Sequence, residues 1–180
     1  MIEIFNNKKI LMISMIMTLV MFFIVMFFTD PAIDGRNGLS VIALQLAFHK
    51  SAAIEIINGW GPSGIRHFNQ WIFTDYIYAM SYSVFFASLL SLLIAKKGVS
   101  DNSRYTWIVY LALVTGLLDW TENSMELCFL RSPSTYPDTL FALHSFVAGV
   151  KWLTLPVVIT YIVVLTVKKA TSERKNSVDS

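Results

Sequence analysis

ILMISMIMTLVMFFIVMFF, residues 10–28, is an uncharged run of 19 residues. A bilayer core is crossed by about 20 apolar residues in a helix, so this stretch reads as a membrane span. Lys8 and Lys9 precede it, as they would in a secretory signal. The run is longer than a usual signal core, and the exit Phe27-Phe28-Thr29-Asp30-Pro31 lacks a small-x-small cleavage site. A retained anchor is therefore expected.

Three more apolar stretches follow, at residues 72–95, 106–129 and 140–167. Each carries an ionisable residue but keeps enough apolar mass to insert. A bilayer offers no water to the backbone, so each must be a helix. The expected fold is all-α: one polytopic membrane domain over residues 1–180, with four transmembrane helices. An outer loop at 29–71 and a tail at 168–180 complete it. Pro156 is expected to kink the fourth span, because it removes a donor and crowds the preceding turn.

Composition points the same way. The chain has 180 residues, 55% hydrophobic and 14% charged, where soluble domains carry about 25% charge. An aromatic share of 14% excludes a disordered chain. No basic run exceeds two residues, which argues against a nucleic-acid face. Cys128 is the single cysteine, so an internal disulfide, a CxxC pair and a cysteine-rich zinc site are excluded.

Lysine and arginine set the expected direction. Lys8, Lys9, Lys96, Lys97, Arg104, Lys168, Lys169, Arg174 and Lys175 fall on one side, and Arg36, Lys50, Arg66 and Arg131 on the other. The positive-inside rule then places both termini in the cytoplasm of a plasma (inner) membrane. In the first outer loop, residues 39–57 read as an amphipathic helix and Gly59-Trp60-Gly61-Pro62 as a turn. Ser63 is a candidate cap for a helix leading into the second span. Trp60, Phe68 and Trp71 suit an interfacial aromatic belt. The loop helix either lies on the membrane or covers a cavity between the spans.

Five charged residues fall inside the spans: Asp75, Asp119, Glu122, Glu126 and Lys151. A charge at the bilayer centre costs about 2.5–3.5 kcal/mol on the insertion scale, so such groups face a bundle interior or a wet cavity. Asp119, Glu122, Asn123 and Glu126 recur at helical spacing on one face of the third span. Asp75, Tyr78 and Tyr82 share a face of the second, and His144 and Lys151 are two turns apart on the fourth. Counted inward from Phe129 and from Phe141, Asp119 and Lys151 both lie about 15 Å deep at 1.5 Å per residue. They are expected to pair. Glu126, His144 and Asp75 are expected nearer the outer surface, at the mouth of an outward-opening polar funnel.

Each residue has a plain reading beside the functional one. Asp119–Lys151 can be a structural ion pair, Asn123 interhelical glue and Glu126 a carboxylate in interfacial water. Tyr78 and Tyr82 can pack without chemistry. Glu122 is hardest to explain away, because two acids sharing one cation leave a spare proton-binding group. Glu122, Asp119 and Asp75 are thus the candidate acid–base residues, with Asn123, Glu126, Lys151, His144, Tyr78 and Tyr82 as candidate ligand-binding residues. Asp119, Glu122, Glu126 and His144 supply hard metal ligands, with His67 within reach from the loop, but there is no HExxH and no four-ligand spacing, so no metal is expected. No Gly-rich phosphate loop or nucleophile elbow identifies a cofactor or reaction.

The plan resembles the EXPERA family of four-helix membrane domains, which includes sterol isomerases and related ligand-binding proteins. The likeness lies in size, in four spans and in a long loop after the first. It extends to an acid at the start of span two followed by aromatic and small residues, Phe73-Thr74-Asp75-Tyr76-Ile77-Tyr78-Ala79-Met80. The Asp119-Trp120-Thr121-Glu122-Asn123 run and Lys151 depart from that plan. The resemblance implies a lipid-like ligand, with Asp75 at the matched position.

Three functions follow in order of support. The first is binding of, or acid–base action on, a lipid-like or isoprenoid molecule. The second is a proton-coupled transporter subunit, which would need a homo-oligomer to widen its pore. The third is a non-catalytic assembly partner whose buried charges fix packing. Membrane lipids surround the protein in all three.

Overall fold

The computed structural model describes residues 2–29, 40–95 and 105–178, with side chains described for 3–29, 41–95 and 105–167. Lys96, Lys97 and Arg104, and Arg36 of the first loop, lie outside the described residues. The described elements are all helical: α1 (Ile2–Phe5), α2 (Lys8–Ile24, continued by a π turn Val25–Thr29), α3 (Ser40–Gln45), α4 (Lys50–Ala95), α5 (Thr106–Phe129) and α6 (Asp138–Val178). A 3-10 turn, Pro133–Thr135, joins α5 to α6. No strand occurs among the described residues.

Among the described residues, three helices are long and apolar enough to cross a membrane: Lys8–Thr29, Lys50–Ala95 and Asp138–Val167. The third expected span, α5, is not among them. Its second half carries Asp119, Glu122, Asn123 and Glu126, all buried.

Local chemistry explains the boundaries. Asn7 Oδ1 accepts the Lys9 N–H at 2.8 Å and caps α2. Within α2, Ser14 and Thr18 donate to the carbonyls of Ile10 and Ser14, each at 2.7 Å, so their hydroxyls need no water. Asp138 stands in the first turn of α6, where a carboxylate complements the helix dipole. The helix continues past Pro156 to Val178, so residues 168–178, read as a tail, prolong the fourth helix.

The outer loop also differs from its sequence reading. The single amphipathic helix expected at 39–57 is two helices, because Phe48 adopts φ 53° and breaks the chain between α3 and α4. The Phe48 N–H instead meets Ser145 Oγ at 2.9 Å. The expected turn at 59–62 is a kink at a single residue, Gly61, with φ 63° and ψ −178°. A side chain is disfavoured at that φ, and Pro62 opens the second limb, where its fixed φ suits a first helical position. Ser63 therefore falls within the first turn and not at the cap.

The second limb of α4, α5 and α6 form the centre. Gly116 lets α5 lie close against α4: a Cβ there would stand 2.7 Å from Ser83 Cβ and 3.0 Å from the Ala79 carbonyl. α2 packs along α4, while α6 packs on α5 and α4; α2 and α6 share no extensive seam. Two apolar clusters bracket the bundle. One, at the α3 end, gathers Leu44, Trp60, Phe68, Ile72, Phe129 and Phe141. The other, toward Ala95, gathers Leu90, Ile94, Ile108, Val109, Val158 and Leu165. Along α4, α5 and α6 alike, the ionisable residues Asp75, Asp119, Glu122, Glu126, His144 and Lys151 lie between these clusters.

Candidate functional site

The polar layer begins with the helical spacing on α5. Asp119, Glu122, Asn123 and Glu126 share one face, and all are at most 5% exposed. Lys151 of α6 reaches across to both nearest acids, with Nζ 3.0 Å from Asp119 Oδ1 and 2.8 Å from Glu122 Oε2. The expected Asp119–Lys151 pair is therefore made, and Glu122 joins it. From α4, the Tyr82 hydroxyl donates to Asp119 Oδ2 at 2.9 Å. Thr154 Oγ1 donates to the Lys151 carbonyl at 2.9 Å and accepts from Thr115 Oγ1 at 3.0 Å, tying the α6 backbone to α5 there.

One turn toward α3, Asn123 Nδ2 donates to Asp75 Oδ2 at 2.8 Å. His144 Nε2 lies 3.1 Å from Glu126 Oε1, with both side chains buried. The His144 ring also stands edge-on to Phe129, centroids 5.1 Å apart. Glu126 is thus enclosed, in contrast to a carboxylate sitting in interfacial water. Phe129 in turn packs on Phe141, with ring centroids 4.7 Å apart.

A cavity of about 450 Å³ opens against this layer. Its walls include Phe22 and Met26 of α2, Phe68 and Phe86 of α4, and Leu155 and Ile159 of α6. Asp75, Asp119, Asn123, Glu126 and Lys151 line it on the polar side, and Tyr78 and Tyr82 face it too. Val41, Ile42 and Gln45 of α3 close one end, where Trp152 Nε1 donates to Gln45 Oε1 at 3.2 Å. The gap between α2 and α6 flanks the same space. A separate groove, lined by Ile13 and Met17 of α2, Tyr76 and Met80 of α4 and Trp120 of α5, has no carboxylate, imidazole or ammonium in its lining.

Glu122 and His144 do not line the cavity; they stand behind its polar wall. Asp119 and Asp75 do line it, so of the three candidate acid–base residues these two could touch a ligand. Sequence spacing identified the three acids of the layer on α5 and Asn123 among them. It missed Gln45, Thr115 and Trp152, whose short side chains or apolar neighbours give no signal until the helices are docked. The fold brings one donor atom each from Glu122, Glu126 and His144 within 4.8 Å of one another, a grouping of the kind that can hold a metal ion.

Charge is the dominant feature of the site. Four carboxyl groups, on Asp75, Asp119, Glu122 and Glu126, face one ammonium and one imidazole. Unpaired ionised carboxylates are strongly disfavoured in such surroundings. Protons, a cation or a ligand must supply what Lys151 alone does not. Comparison of the chain with protein-family models, with characterised proteins and with solved structures finds no match.

Proposed function

We propose that this chain is a four-span membrane protein whose intramembrane cavity binds a lipid-like or isoprenoid molecule. The observation that carries the reading is the cavity itself: apolar walls ending on a few convergent polar side chains, the usual make-up of a small-molecule site. Its flank between α2 and α6 suits lateral entry from a bilayer.

The membrane part of the proposal rests on where apolar surface lies. α2 exposes Ile13, Ile16, Leu19, Phe23 and Phe27, and α5, despite its acids, exposes Trp107, Val114, Leu117 and Trp120. Patches of this extent are not left to water in a soluble monomer. With its acids turned inward, α5 presents an apolar outer face and serves as the third of the four spans. The lysine and arginine distribution directs both termini to the cytoplasm, so the α3 end faces outward.

An apolar body fills the space between α2 and α6, and a hydroxyl or amino head meets Asp75 and Asp119. Asn123 and Tyr82 hold these carboxyls in place, and Lys151 holds the second. A carboxyl so positioned can take a proton from the head or return one, which is the basis of general acid–base action. The apolar cluster around Leu90 and Val109 backs the layer on the cytoplasmic side. That favours a dead-end binding site over a transport path.

The test is mass spectrometry of lipid that co-purifies with the full chain. Leu155→Trp, which fills the cavity from the α6 wall, is expected to lose the molecule that the wild type retains. An unchanged lipid complement in a folded Leu155→Trp protein would remove the reading.

A further inference from the structure

We infer that Glu122, Glu126 and His144 form a binding site for a divalent transition-metal ion. This goes beyond lipid binding and does not depend on it. The three side chains come from two helices: Glu122 and Glu126 lie one turn apart on α5, and His144 faces them from the second turn of α6. All three are at most 1% exposed.

Four observations converge on this. One donor atom from each residue lies within 4.8 Å of the other two. One pair, His144 Nε2 and Glu126 Oε1, is 3.1 Å apart. That is about the separation of two ligands bound at roughly 2.1 Å and near 90–100° on one ion. Glu122 turns Oε2 to Lys151, and its buried Oε1 has no hydrogen-bond partner among the described residues. A buried carboxylate oxygen in that state is costly, and a cation removes the cost. Finally, the layer has an excess of carboxyls over cations, which a divalent ion offsets without disturbing the Lys151 bridges.

The donor set also narrows the ion. One imidazole with two carboxylates suits zinc, manganese or ferrous iron; an all-oxygen set would be expected for calcium or magnesium. Three protein donors leave coordination positions for water. Glu126 is the member that also lines the cavity, so the ion would border the space that holds the ligand head.

The experiment uses tag-free, full-length protein in detergent. Metal content is read by mass spectrometry after growth with added zinc, manganese and iron. About one ion per chain is expected in the wild type, falling to less than about a tenth in Glu122→Gln and in Glu126→Gln. Asp75→Asn, outside the cluster, is expected to keep the ion. Should the cluster variants not fold, the wild type alone decides: chelator-stripped protein is titrated with zinc, then manganese, then ferrous iron. A rise in melting temperature that saturates near one equivalent, with an absorption-edge spectrum of nitrogen and oxygen ligands including one imidazole, supports the site. A metal-free wild type with no such rise for any of the three ions overturns it, as does full retention of the ion in folded Glu122→Gln and Glu126→Gln. Lipid loss in Leu155→Trp is read separately, so either reading can fail alone.

Discussion

α2 and α5 are opposites. α2 has no charged residue beyond its first turn, yet only Ser14 of Lys8–Ile24 is buried. α5 carries three acids and an asparagine on one face, and these are among the most buried groups in the chain. In water the more apolar helix would be the core and the more polar one the surface. The inversion is what a hydrocarbon solvent produces: apolar side chains lose nothing by facing lipid, while polar ones must find each other. The cavity lies where the two kinds of helix meet across α4.

Removing the counter-charge from the polar side should do most to erase this contrast. Lys151→Met leaves Asp119 and Glu122 facing each other in a buried layer. Removing one partner of a buried pair costs about 3–5 kcal/mol, which detergent thermal unfolding will show as a large fall in melting temperature. Adding Asp119→Asn and Glu122→Gln to it should recover most of the loss. A single variant as stable as the wild type would mean the bridges are not holding the bundle.

The exposed apolar side is tested by Ile16→Asp, at an exposed position midway along α2. In a membrane span this costs about 2.5–3.5 kcal/mol of insertion free energy, seen as reduced membrane yield. The same change on a water-facing helix would be nearly silent, and such silence would end the membrane assignment of α2.

Smaller effects separate two glycines. Gly116→Ala drives a methyl against Ser83 and is expected to cost roughly 1–3 kcal/mol, partly relieved by Ser83→Gly. Gly149→Ala meets nothing within 4 Å, so it should be neutral or stabilise by up to about 1 kcal/mol through helix propensity. Equal melting temperatures for the two alanine variants would show that α4 and α5 are not packed as closely as Gly116 indicates.

Several of these positions are legible in the amino-acid sequence. The stripe at Asp119, Glu122, Asn123 and Glu126 follows from 3.6-residue periodicity, and the depth count correctly pairs Asp119 with Lys151. Gly116 and Gly149 are indistinguishable in sequence, since nothing local says which faces a neighbour. The break at Phe48 is equally hidden. A bulky residue at positive φ is held by a contact with Ser145, far along the chain.

Composition and periodicity are enough to dictate that the chain is helical, that apolar runs dominate it, and that its buried charges form stripes. They are enough because hydrophobicity and helical pitch are properties of neighbours in the chain. Which stripe residues touch the cavity emerges only when the helices dock. Docking puts Asp75 and Asp119 on its wall, Glu122 and His144 behind it, and α3 across one end. Those placements depend on how far each helix is rotated and shifted against the next, which no single helix encodes.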